Sequence, residues 1–244
     1  MNNKTYILMV FEGEKTEKQI SDNMTQYFLN ESINTVVYGF HCGEIYSLYN
    51  KLQNDPDLEL FSLLKENLQH KNMELQNINS EQVAEMYLFF DYDGHAAGAN
   101  DKILTDMLEL FNNETEDYGK LYISYPMVEA IKHLKATNDF KTLVAPSESN
   151  YKNIVSHNAD NRFKNLTMLT VDDWKVIIDK NCKKANYILT DNFSFPLSEI
   201  NQNEIFDKQK QKYIRIYNKV AVLSAFPIFL ADYYGYNILR EKIK

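Results

Sequence analysis

Tyr6-Ile7-Leu8-Met9-Val10-Phe11-Glu12-Gly13 is the stretch that decides the fold. Six apolar residues in a row lack the alternation of a half-exposed strand. They read as a strand buried on both faces, as in parallel sheets. The chain then turns at Glu12-Gly13, and Thr16 with Gln19 matches a Thr-x-x-Gln capping box. Ile20, Met24, Tyr27 and Phe28 recur at helical spacing over 17–29, which predicts a helix. Strand, turn and helix follow one another within 25 residues, the opening of an α/β unit.

Moving outward, 35–40 predicts a second strand, and 44–52 a helix with Ile45, Leu48, Tyr49 and Leu52 on one face. Pro56 interrupts the chain, and 58–72 predicts a polar-backed helix, so 55–82 forms a helical insertion. A third apolar run, 86–90, ends in Asp91-Tyr92-Asp93-Gly94 and is followed by a helix over 103–111. A short strand is expected over 121–125. Pro126 suits the first turn of a helix carrying Met127, Val128, Ile131 and Leu134. This alternation argues for a parallel sheet with right-handed crossovers over residues 1–135. Over 136–244 the pattern is mainly helical, with a strand at 166–171, a helix at 174–185 and a longer helix at 205–230 broken at Pro227. No repeat of 20–50 residues is present.

Composition narrows the functional classes. The 244 residues include 7 Gly and 5 Pro, too few for a turn-dense all-β chain. Two cysteines, Cys42 and Cys182, form no CxxC and exclude both a cysteine zinc cluster and a disulfide framework. The first residues do not read as a signal peptide. The most apolar stretch, 220–231, contains Pro227 and falls short of the roughly 20 residues that span a bilayer. A buried helix is expected there, in a soluble, cytoplasmic protein. The net charge of −8 lacks the basic surface with which a lone, sequence-independent nucleic-acid binder releases counterions. Acting on nucleic acid would require bound metal, a local basic surface or a partner subunit. The acid is uneven: residues 205–244 hold eight Lys/Arg and three Asp/Glu, a local excess of +5.

The acids fall at strand ends. Glu12 follows the first strand, Asp91 and Asp93 follow the 86–90 strand, and Glu129 lies just past the 121–125 strand. In open α/β sheets, ligands bind outside the carboxyl ends of the strands. Clustered carboxylates repel unless protonated, paired or neutralised, and all-oxygen donors suit Mg²⁺ or Mn²⁺. Glu14 and Glu17 lie near the same rim. Two aspartates at i, i+2 can face one cation, which offsets charge on a phosphate and activates water. Glu12 can position or deprotonate that water.

The Glu12-Gly13-Glu14-Lys15-Thr16-Glu17 turn after a hydrophobic strand, followed by Asp91-Tyr92-Asp93 after another, resembles the TOPRIM domain. That domain occurs in topoisomerases, primases, overcoming-lysogenization-defect (OLD) nucleases and small antiphage proteins. The E-G-x-x-T-E form looks closest to the OLD and RloB-like branch. The resemblance covers about residues 5–135 and implies a TOPRIM-like parallel sheet and a Mg²⁺-dependent (or Mn²⁺-dependent) nuclease. In it Glu12, Asp91 and Asp93 would be catalytic and metal-binding, with Glu17 and Glu129 as further metal ligands. Glu17 lies five residues from Glu12, where some relatives have four. The resemblance also implies the toxic effector of a bacterial antiphage, abortive-infection system, with a nucleic-acid substrate and a companion ATPase subunit. A homo-oligomer is compatible with it.

Other assignments compete. Asp91 and Asp93 also suit an ordinary strand-to-helix turn with Gly94, and Glu129 an ordinary first-turn helix acid. His95 follows the acidic turn as a rim residue, and His41-Cys42 has no partner pattern. Asp91-Tyr92-Asp93 also resembles the motif of haloacid-dehalogenase-type phosphatases, with Asp172-Asp173 as a late acidic pair, but that leaves Glu12 unexplained. A non-catalytic TOPRIM-like interaction subunit is a further alternative. Finally, Lys208, Lys212, Arg215 and Lys219 fall at helical spacings of four, three and four. They predict one basic stripe for binding substrate or partner.

Overall fold

The computed structural model describes residues 5–29, 35–41, 45–55, 57–68, 73–92, 101–135, 139–146 and 150–244, with backbone alone for 35–41 and 73–74. The chain divides into two compact units, Met1–Phe90 with Asp106–Leu121, and Asp91–Thr105 with Tyr122–Lys244.

The first unit is built on the apolar runs. Strand β1 (Thr5–Phe11) is buried from Ile7 to Phe11, as its unbroken apolar sequence requires. It pairs in parallel with β2 (Thr35–His41) on one side and with β3 (Val83–Asp91) on the other. With β4 (Asn112–Asn113) and β5 (Gly119–Ser124) the described residues form a mostly parallel sheet in the order β2-β1-β3-β5-β4, closed by an antiparallel β4–β5 hairpin. Helix α1 (Thr16–Phe28) buries Ile20, Met24 and Phe28, and α2 (Ile45–Asn54) buries Ile45, Leu48, Tyr49 and Leu52. The α/β class and the parallel character match the alternation in the sequence.

The insertion consists of α3 (Leu60–Leu68), α4 (Met73–Gln76) and a 3-10 turn over Ser80–Gln82. Lys65 Nζ donates to the carbonyls of Gln76 and Ile78 at 3.2 and 2.8 Å, and Gln76 Nε2 returns a bond to Lys65 O at 2.9 Å. One correction concerns α1. The Thr16/Gln19 capping box does not form, because the helix starts at Thr16 itself and Lys15, in helical conformation, caps nothing.

Helix α5 (Asp101–Leu110) has its first five residues in the second unit and its last five in the first. Elsewhere in the second unit lie β6 (Val144–Pro146), α6 (Tyr151–Asn158), α7 (Asn161–Lys164), the 20-residue α8 (Val171–Thr190) and α9 (Gln202–Gln209). A π-helical turn, Lys210–Ile214, joins α9 to α10 (Arg215–Tyr217). Strand β7 (Lys219–Ala221), α11 (Ala225–Tyr234) and α12 (Tyr236–Lys242) follow. β7 pairs antiparallel with β6, Ala221 opposite Val144. Helix α11 is buried from Ala225 through Ala231, the pattern of a helix enclosed on all sides.

Three expectations are corrected here. Residues 166–171 form no strand. Leu166–Met168 is a 3-10 turn, and Thr170 then caps α8 by accepting Asp173 N–H, with Asp173 reciprocating. The helix expected after Pro126 is a five-residue 3-10 turn, Val128–Lys132. The helix expected over 205–230 ends at Asn218 in the left-handed region (φ 50°) and gives way to β7. Pro227 breaks nothing: it is the third residue of α11, where its missing N–H would have had no intrahelical partner. No helix among the described residues is long and apolar enough to cross a membrane.

Candidate functional site

The strand order sets the candidate site. From β1 the chain crosses to β2 on one side, and from β3 it proceeds to β5 on the other. That divergence between two adjacent parallel strands is a topological switch point, where open α/β sheets leave a crevice for ligands. Phe11 is in register with Phe89. Glu12 is the first residue after β1, and Asp91 is the last of β3.

In the first unit Glu12 is half-buried, Glu14 and Lys15 are exposed, and Glu17 is buried in the first turn of α1. Glu17 folds back on the turn, and its Oε1 accepts Gly13 N–H at 2.9 Å. A β-carbon at Gly13 would lie 2.6 and 2.7 Å from the two Glu17 oxygens, so any larger residue there would displace the Glu17 carboxylate. A carboxylate in the first turn also complements the helix dipole. Glu17 therefore shapes the backbone beside Glu12.

In the second unit Asp91 Oδ1 accepts Val128 N–H at 2.7 Å, an N–H at the start of the 3-10 turn that carries Glu129. Tyr92 N–H donates to Ser124 O at 2.9 Å, and its ring packs on Tyr125 and Phe206. Glu129 is buried. Its Oε1 lies 3.7 Å from Lys152 Nζ, while its Oε2 has no hydrogen-bond partner among the described residues. Beside it, Tyr151 and His133 share a 2.9 Å hydrogen bond. Burial pushes the Tyr151 phenol well above its ordinary range, with the Glu129 charge adding to the rise, and burial pushes the His133 imidazole down. Both groups are neutral at pH 7.

The structure thus brings Asp91 to the base of the Glu129 turn and Glu17 to the Glu12-Gly13 turn. Asp93, Gly94, His95 and Cys42 lie outside the described residues, as do the side chain of His41 and its surroundings. Among the described residues no three His, Cys, Asp or Glu side chains converge as a metal-holding group. Asp172, the first of the late acidic pair, is exposed and lies 3.9 Å from Lys175. Asp173 is a helix cap. Burial raises its pKa, but the Thr170 hydroxyl and amide and the Arg162 guanidinium more than offset this and hold it below the ordinary carboxylate range.

The basic residues do not share one continuous α-helix, because a π turn over Lys210–Ile214 and then β7 interrupt it. Lys208 stays on α9, Lys212 pairs with Asp191 at 2.8 Å, Arg215 is on α10 and Lys219 is on β7. The intervening Lys210 is buried, 2.8 Å from Asp207, over the Phe206 ring, and donates to Thr105 Oγ1 at 3.1 Å.

Two features escaped sequence inspection. Lys184 is fully buried and donates to three carbonyls, Phe140, Lys141 and Leu143, at 3.1, 2.6 and 2.9 Å. The His133–Tyr151 pair joins residues 18 apart in the sequence. Neither has a local sequence signal. The Thr170-x-x-Asp173 box does. Comparison of the chain with protein-family models, with curated proteins and with solved structures finds no match.

Proposed function

We propose that this chain is a Mg²⁺-dependent or Mn²⁺-dependent TOPRIM-like nuclease, the toxic effector of a bacterial antiphage system controlled by a partner ATPase. The observation that carries the catalytic part is the switch point: the acids Glu12 and Asp91 stand at the carboxyl ends of the two strands between which the sheet topology diverges. The defence role and the ATPase rest on the TOPRIM resemblance.

The donor set fits a hard cation. All candidates are carboxylates, and the buried Glu129 Oε2 lacks a hydrogen-bond donor among the described residues. Glu12, Asp91 and Asp93 would hold the ion, with Glu17 and Glu129 as further ligands. When bound, the ion neutralises charge on the non-bridging phosphate oxygens and acidifies water. Glu12 orients the attacking water or takes its proton. Asp91 holds the Glu129 turn through the Val128 N–H, and Glu17 holds the Gly13 backbone, so two of the acids also position their neighbours.

The test is cleavage of DNA and RNA panels with and without Mg²⁺ or Mn²⁺. Glu12→Gln and Asp91→Asn are each expected to lower the rate by about 10²–10⁴-fold. A Glu12→Gln rate within about twofold of the parent, far below the size of a general-base effect, would remove Glu12 from the chemistry. Absence of cleavage on every substrate and metal would favour a non-catalytic interaction subunit.

A further inference from the structure

The second unit contains a cavity of about 260 Å³ with an apolar floor and a cationic rim. Leu134, Phe140 and Phe163 are buried and form the floor. Lys135, Arg162 and Lys180 form the rim, drawn respectively from the segment after the Val128–Lys132 turn, from α7 and from α8. Lys135 and Lys180 are exposed, and the Lys180 ammonium also lies 6.0 Å from the Phe193 ring centroid. Asp160 is the one acid among the described lining residues, and its Oδ1 is engaged by Arg162 N–H at 3.0 Å.

Arg162 is a built component. Its Nε donates to the buried Asp173 carboxylate, which is itself fixed by Thr170, and its side chain remains about half exposed. A guanidinium anchored through Nε presents its remaining N–H edge in a fixed plane, the geometry that pairs with phosphate oxygens. Two flanking ammonium groups add point charges for the same anion. The small exposed parts of Phe140 and Phe163 give the cavity an apolar wall against which a base can rest. The volume lies just under the roughly 300–1,000 Å³ of small-molecule sites, which suits one small ligand.

We infer that this cavity binds a mononucleotide, with its phosphate on Lys135, Arg162 and Lys180 and its base against the Phe140–Phe163 floor. The inference does not rest on nuclease activity.

Isothermal titration of the full chain in EDTA, with AMP, GMP, CMP, UMP, inorganic phosphate and octanoate as probes, tests it. EDTA keeps metal-dependent binding at the carboxylates out of the measurement. At least one mononucleotide should bind saturably, about tenfold or more tighter than either phosphate or octanoate. Raised salt should weaken it, because the rim charges are exposed. Lys135→Glu/Lys180→Glu should lower that affinity at least about tenfold with an unchanged melting temperature. Asp91→Ala should retain it. The inference is overturned if no mononucleotide saturates, if phosphate or octanoate binds as tightly, or if the folded double variant binds like the parent.

Discussion

Gly13 and Glu17 share one hydrogen bond, and each can be removed separately. Gly13→Ala displaces the Glu17 carboxylate by direct overlap, and Glu17→Ala deletes the acceptor. Each should cost about 1 kcal/mol in urea unfolding. The double variant should cost clearly less than the sum, because the second change has no bond left to break. Asp91 separates stability from chemistry in the same way. Asp91→Asn keeps an oxygen for the Val128 N–H and should unfold like the parent. Asp91→Ala should lose about 1–3 kcal/mol, as for a bond to a charged group. Both should lose cleavage. Lys184 has the largest expected effect. Its three carbonyl acceptors need three N–H donors, which the ammonium form has. Burial pushes its pKa down to about 7, and the Asp139 charge opposes that fall. Lys184→Met removes three hydrogen bonds from one charged donor, although Phe140 O and Leu143 O keep backbone N–H donors, and should cost about 3 kcal/mol or more.

At the level of elements, α8 depends on its N-terminal cap. Thr170→Ala removes one half of the box and should cost about 1 kcal/mol. Asp173 adds a pH dependence whose sign follows from its depressed pKa. Its contribution is fully present above the unfolded carboxyl value of about 3.9 and is lost as the pH falls through the lower folded value. Acid titration of Asp173→Asn should therefore show a shallower loss of stability below about pH 4 than the parent. The elements legible in the sequence are those whose burial is local: β1 and the 86–90 part of β3 as unbroken apolar runs, and α2 with Leu48 and Leu52 on one face. Those misread depend on distant partners. The chain leaves the helical path at Asn218 because Gln209 bonds both the N–H and the C=O of Ala221, each at 2.8 Å, and so helps hold β7 in place. No periodicity reports that bond. The strand-end positions of Glu12 and Asp91 were legible for the same reason as β1 and β3. The folding back of Glu17 and the Asp91–Val128 bond were not, because both depend on three-dimensional approach.

For the whole molecule, metal binding and chain threading are the main consequences. A cation that binds only the native state stabilises it by roughly 2.7 kcal/mol at a hundredfold excess over its dissociation constant. Mg²⁺ or Mn²⁺ should therefore raise the melting temperature, and Asp91→Asn/Asp93→Asn should abolish the rise. An unchanged rise in that variant would place the cation elsewhere. The two units are interleaved in sequence: the chain enters the second at Asp91, returns to the first at Asp106 and leaves it again at Tyr122. Within the second unit, Tyr125 exchanges backbone bonds with Leu223, and the Tyr122 ring packs on Phe229. A ribosome adding about 5–20 residues per second has delivered all of the first unit by Leu121, yet needs a further 5–20 s or so to reach Leu223. During that interval the nascent chain displays Tyr122 and Tyr125 without the residues that cover them. The first unit can fold during synthesis, while the second must wait for its last fifth, and this is the stage at which a holdase would engage the emerging chain.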